Sequence, residues 1–471
     1  MFKHYKRIAL FTTAIMGLGL TSIGSALAGE LKPQARTKQM VEGLYTNNVM
    51  AASYFQQGLT QYTRSNFQAA EQALRKALAL DPSIAMANYL LGNTLLQQGK
   101  PELATEQYRR ALAIDPGMSE AYYNLGLALY RQNNIDGAID QYQRALSLKP
   151  DLASARYNLA LAYESQGRTQ EALTQYQEAA RLSPNDALAQ YNLGLLLAKQ
   201  GQSEQAITAL RQSVSNNPDL AQSQYQLGIL LAQQGQLKDA EDALKKATKL
   251  DPKFVQAQYQ LGQVLMQRGD YEGAGDRFAW VVNLDPNNLD AYRQLGAART
   301  KSRQYAQAVV ALQKGLSLQP NDALSHYNLG VAFQEQKKYP EAIAQYQQAI
   351  LLDSNMPEAF YNLGVSLEQS QRREEAMSFL QQARNLYRQA GNQQKVDEVN
   401  LYVQQLTTPA TVPPTTAPAV VEPTQPPAVQ PTTPPAQQTP LFQPAPSNPF
   451  RATPLNNGRP LPAPPNTGGT R

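Results

Sequence analysis

Residues 119–152 read SEAYYNLGLALYRQNNIDGAIDQYQRALSLKPDL, and the YNLG that begins at Tyr123 returns at Tyr191, Tyr327 and Tyr361. The separations are 68, 136 and 34 residues, all multiples of 34. Stepping by 34 from Gly126 in both directions reaches Gly58, Gly92, Ala160, Gly194, Gly228, Gly262, Gly296, Gly330 and Gly364. Twelve residues beyond each of these ten positions stands an alanine, from Ala70 through Ala138 to Ala376. Prolines from Pro82 to Pro320 keep the same step near the end of each unit, until Ser354 and Arg388 break the series. Ten units without an insertion or deletion therefore occupy 51–390.

The physics of one unit is that of two antiparallel helices. Within 119–152 the first helix is predicted from about Glu120 to Gln132, with a turn at Asn133 and Asn134. The second runs from about Asp136 to Leu148 and stops at Pro150, which cannot donate the next helical hydrogen bond. Gly126 and Ala138 are small where the two backbones must approach, and Leu125, Leu129, Tyr142 and Leu146 fill the space around that contact. A helix pair of this size cannot bury its apolar face alone, so neighbouring pairs must stack and share a continuous core. The spacing predicts an all-α solenoid of helix-turn-helix units at 51–84, 85–118, 119–152, 153–186, 187–220, 221–254, 255–288, 289–322, 323–356 and 357–390.

These residues resemble the tetratricopeptide repeat family, whose pattern is W-x2-L-G-x2-Y, then A, an aromatic and P over about 34 residues. Tyr122, Leu125, Gly126, Leu129, Ala138, Tyr142 and Pro150 carry the match, which extends over 51–390. The first aromatic position departs from the pattern at Arg156, Gln190, Gln224 and Gln258, each followed at once by a tyrosine. The resemblance implies a right-handed superhelix whose first helices line a concave groove that binds peptides. It places Asn124, Asn158, Asn192, Asn328 and Asn362 on that face, with Gln226, Gln260 and Gln294 between them. Beside them run Leu127, Leu161, Leu195, Ile229, Val331 and Val365, an apolar stripe suited to side chains of an extended polypeptide. An amide can donate and accept, so it can hold a backbone of any sequence; the alternative is that these amides bond neighbouring repeats or water. Tyr157, Tyr191 and Tyr225 occupy the slot where relatives that clamp a terminal carboxylate carry lysine, so no such clamp is expected.

The ends read differently. Lys3, Lys6 and Arg7 precede an apolar run from Ile8 to about Leu20 and the small residues Ala26 and Ala28, which predicts a signal peptide over 1–28. An uncleaved membrane anchor is the competing reading, weakened by the threonines, serine and glycines of that run. Export to the periplasm or another part of the cell envelope is expected, with no membrane insertion after cleavage. Residues 29–50 form a polar lead-in, and Gln57 and Gln61 give the first repeat a wetter face than its neighbours. Val396, Val399, Val403 and Leu406 lie at helical spacing and predict a capping helix within 391–406. From 407 to 471 the chain changes character: nineteen of its 31 prolines lie between Pro409 and Pro465, among Thr, Gln and Ala, so a disordered, extended tail is expected.

Composition narrows the function. The chain has no cysteine, which excludes disulfides, thiolate metal sites and thiol catalysis. Loss of Lys3, Lys6 and Arg7 would lower the formal charge from +5 to +2, giving no electrostatic case for nucleic acid. His326 falls on a core-facing aromatic slot, no phosphate-cradling glycine loop is present, and no set of residues suggests catalysis, a cofactor or a metal. The sequence therefore reads as a non-enzymatic scaffold or assembly factor that binds extended segments of other proteins. The rival reading is a structural spacer, with the solenoid as rod and the tail as attachment. Gly273, Gly275, Arg299 and Gly315 depart from the repeat consensus and mark repeats 7 and 8 as an expected soft segment, since each interior glycine costs about 1 kcal/mol relative to Ala. Trp280, the one tryptophan, lies in the same stretch as a filler of space or a ligand contact.

Overall fold

The computed structural model describes residues 46–407. The predicted signal peptide 1–28, most of the lead-in 29–50 and the tail beyond residue 407 lie outside the described residues. Among the described residues there are twenty-one α-helices and no strand. The chain divides into two compact units, Met1–Leu182 and Ser183–Arg471. The first holds the eight helices of repeats 1–4, and the second holds the twelve of repeats 5–10 and a last helix, Gln393–Thr407. Within each unit the fold is a solenoid of helix pairs, each packed against the next.

Repeat 3 shows why the consensus residues stand where they do. Its helices are Ser119–Arg131 and Ile135–Leu148. A Cβ built on Gly126 would lie 2.6 Å from the Tyr142 ring, so glycine lets that ring slide under the first helix. Tyr142 and Ala138 are fully buried there. The turn between the helices needs one residue with positive φ, supplied by Asn133 at 60° and by Gly201 at 76° in repeat 5. Glycine adopts that conformation without strain; Arg303 and Lys337, at 60° and 59°, do so at a cost of about 1 kcal/mol each.

The junction between repeats has two devices. Proline biases the residue before it toward extended backbone, and Asp81 before Pro82 is at φ −149°, ψ 96°. Asp81 also accepts the Ser83 amide on its side chain at 3.0 Å, a turn that competes with further helix. Asp353 keeps the second device without the first: Ser354 replaces proline, yet Asp353 remains extended and accepts the Asn355 amide at 2.9 Å. Repeat 10 has neither device, with Tyr387 and Arg388 in those places, and its second helix runs on to Gln389, 17 residues against 14 in repeat 9.

The irregular residues of repeats 7 and 8 fit one another. A Cβ on Gly275 would lie 2.9 Å from the Arg299 guanidinium, so the glycine makes room for the arginine. Arg299 in turn reaches Asp276 and Gln304, both at 2.8 Å. Gly273 lies under the capping carboxylate of Asp270, and a Cβ there would come within 2.6 Å of it. A Cβ on Gly315 would lie 3.2 Å from the Tyr292 Cβ. Trp280 is largely exposed and donates its indole N–H to the Pro252 carbonyl at 2.9 Å. The departures that mark this stretch in the sequence are thus partly compensated by contacts between repeats.

Candidate functional site

Along each first helix, residues four apart share a face. In repeat 6, Leu227, Gly228 and Leu231 are buried against neighbouring helices, whereas Tyr225, Gln226 and Ile229 are half-buried. The same open face carries Tyr123 with Leu127 and Tyr157 with Leu161 in the first unit. In the second unit it carries Leu195, beside the buried Tyr191, and Tyr225 with Ile229. Leu127, Leu161, Leu195 and Ile229 are all half-buried, so apolar surface reaches solvent at a regular step within each unit. Val331 and Val365 are buried and do not extend that stripe.

In repeats 3, 4 and 7 the tyrosine ring meets, tilted or edge-on, the aromatic residue of the second helix of its own repeat. Tyr123 lies 6.1 Å from Tyr142, Tyr157 5.8 Å from Tyr176, and Tyr259 5.4 Å from Phe278. Burial pushes the hydroxyls of Tyr123, Tyr191, Tyr225 and Tyr361 up to about 12, because the phenolate loses its hydration.

The asparagines are placed on this face, and three of them use their amide nitrogen inside the protein. Asn124 donates to the Tyr89 hydroxyl at 3.1 Å and to the Asn93 side-chain oxygen at 2.8 Å. Asn158 donates to the Tyr123 hydroxyl at 3.1 Å and to the Ser154 carbonyl at 2.8 Å. Asn362 donates to the Tyr327 hydroxyl at 2.9 Å and is fully buried. Each therefore clasps the preceding repeat. Asn192 is half-buried and also engaged, and Asn328 is half-buried. The sequence carries a signal for the clasp: a tyrosine stands thirty-five residues before Asn124, Asn158, Asn192 and Asn362, whereas Arg293 stands before Asn328. Gln226, Gln260 and Gln294 are half-buried at the equivalent places.

A second polar code ties the junctions together. At three repeats the polar side chain in the first aromatic slot bonds the proline carbonyl six residues earlier. Arg156 donates to Pro150 at 3.1 Å and to Gln175 at 3.1 Å. Gln258 donates to Pro252 at 3.2 Å, and Arg277 donates to Gln258 at 3.3 Å. His326 follows the same rule, with its ring nitrogens 3.0 Å from the Pro320 carbonyl and 2.8 Å from the Gln345 side-chain oxygen. That histidine is a junction residue.

At the end of the array the face is closed. Tyr361, Asn362 and Val365 are buried, and Tyr361 and Val365 share a cluster with Val396, Val399, Tyr402 and Leu406 of the last helix. The Tyr361 and Tyr402 rings are 6.1 Å apart. Among the described residues no helix is long and apolar enough to cross a membrane.

Several tetratricopeptide repeat family models match this chain, one over 55–119, 95–153, 123–187 and 157–221, and others over 311–344, 333–371 and 358–390. The model described as the cytochrome c-type biogenesis protein H TPR domain matches 202–325. No curated protein matches. Among solved structures, MamA is 29% identical, over 34% of this chain and 94% of that one, at TM-score 0.33. YrrB, described as a TPR protein with an unusual peptide-binding site, is 25% identical, over 42% and 98%, at 0.36. PilF of Pseudomonas aeruginosa is 26% identical, over 44% and 95%, at 0.41.

Proposed function

This chain belongs to the tetratricopeptide repeat family, and we propose that it is a non-catalytic scaffold or assembly factor of the cell envelope, binding extended polypeptide along the open face of its first helices. One observation carries this reading: apolar side chains recur half-exposed at Leu127 and Leu161 in one unit and at Leu195 and Ile229 in the other, on helices whose Leu125, Leu159, Leu196 and Leu227 are buried. A row of apolar contacts with amides beside it suits a ligand that offers side chains and backbone alternately. The asparagine clasps change what the amides contribute. Asn124 and Asn158 have their nitrogens committed to the protein, so the apolar residues are the better handle on binding.

The experiment replaces Leu195 and Ile229 together by Glu in the full chain and maps photo-crosslinks formed in cells from Ala198, on the same helix. Loss of mapped crosslinks to extended segments of partner proteins, with at least about a tenfold fall in affinity for those partners, supports binding along this face. Unchanged capture would favour the spacer reading, with the solenoid as rod. Export is tested separately by the intact mass of protein recovered from the envelope, expected to lack 1–28.

A further inference from the structure

The open face is not chemically uniform, and its neutral part points to an occupant. In repeats 3, 4 and 8 the first helices carry Glu120, Arg131, Glu164, Asp290 and Arg293. In repeats 5–7 the equivalent places hold tyrosine, apolar residues and amides, with Lys199 as the one charge there, and Arg268 ends the first helix of repeat 7, paired with Glu241. Tyr225 and Tyr259 are half-buried, with Leu195, Ile229 and Gln263 half-buried beside them. An uncharged row of aromatic rings with amides between them is the surface that receives polyproline II segments, because proline rings lie flat on aromatic faces and their carbonyls need donors.

This chain contains such a segment. Residues 423–450 hold ten prolines among Thr, Gln, Ala and Val and no Asp, Glu, Lys or Arg. A charged ligand would lose hydration on that neutral face without a partner, whereas this segment has no charge to desolvate. Reach suffices. At about 3.1 Å per residue the 15 residues 408–422 span about 50 Å before the segment begins, and the 43 residues to 450 span about 130 Å. The four repeats back to repeat 6 stack helices at about 8–10 Å.

We propose that the proline-rich segment 423–450 docks in the same molecule on the tyrosine- and amide-lined face of repeats 5–7, and that a partner must displace it. This rests on the reading of that face as a polypeptide-binding surface. A tethered segment competes at an effective concentration that reaches the millimolar range, so even weak docking masks the face from partners.

The test uses the full chain with a photo-crosslinker at Ile229, and a full-chain variant in which the ten prolines of 423–450 are replaced by Ser. Intramolecular crosslinks to 423–450, independent of protein concentration, are expected. A labelled synthetic peptide of sequence 423–450 should bind the proline-substituted chain at least about tenfold more tightly than the unaltered chain. Equal affinity for the two chains, crosslinks that form only between copies, or no binding of the peptide to either chain would each overturn the proposal. The Leu195 and Ile229 substitutions read out on partner proteins decide the underlying reading separately, so that reading can stand when self-docking fails.

Discussion

Repeats 6 and 10 share one 34-residue register and lie in the same unit, yet their equivalent faces end in opposite states. In repeat 6, Tyr225, Gln226 and Ile229 are half-exposed; in repeat 10, Tyr361, Asn362 and Val365 are buried. Tyrosine and a branched aliphatic residue stand in both places, so local sequence does not make the difference. The last helix, Gln393–Thr407, covers Tyr361 and Val365, and Asn362 is locked to Tyr327. A face in a repeat protein is a binding surface only where the next element leaves it uncovered, which is a property of position in the array.

The sharpest break of this comparison is Asn362→Ala. It removes the bond to the fully buried Tyr327 hydroxyl, at an expected cost of about 1–3 kcal/mol in urea unfolding. Asn328→Ala, on the same face with no tyrosine thirty-five residues before it, should fall within about 0.5 kcal/mol of the unaltered protein. Equal losses at the two sites would mean that the clasp contributes nothing particular.

Asn124→Ala and Asn158→Ala extend the test to the first unit. Both donate to a tyrosine hydroxyl but sit closer to solvent than Asn362, so each should cost about 0.5–1.5 kcal/mol. Native-state hydrogen exchange should localise the loss to the repeats that each pair joins. Gln226→Ala should leave stability within about 0.5 kcal/mol. A loss there as large as at Asn124 would erase the distinction between the asparagine and glutamine steps.

The tyrosines predict an alkaline limit. Their folded pKa of about 12 lies above the ordinary value of 10.0, so the folded state holds its protons longer than the unfolded chain. Stability is then constant with respect to these groups below about pH 10 and falls as pH rises from about 10 to 12. Tyr225→Phe should flatten that slope in unfolding midpoints measured across the range, and an unchanged slope would show that Tyr225 titrates normally.

The smallest expected effect concerns the turns. Repeats 5–7 use Gly201, Gly235 and Gly269 where repeats 8 and 9 use Arg303 and Lys337, all at positive φ. Arg303→Gly should raise stability by up to about 1 kcal/mol, while Gly235→Arg should lower it by about the same amount. Thermal unfolding of the two single variants measures both.

The sequence by itself determined the repeat length, the helix pairs and the small residues at their crossings, because those depend on contacts within 34 residues that recur ten times. The Gly126 and Ala138 positions were legible for that reason, and so was the last helix, whose apolar residues keep helical spacing. Tertiary structure alone decided which of the amides are occupied and which faces stay open. An asparagine can clasp a tyrosine or meet a ligand with the same atoms, and the choice depends on a hydroxyl arriving from the preceding repeat. Likewise Arg299 and Gly275 look like separate defects along the chain and become one fitted contact only when adjacent repeats meet. Exposure and hydrogen-bond satisfaction are sums over neighbours distant in sequence, and the repeat register fixes those neighbours' spacing without fixing what covers them.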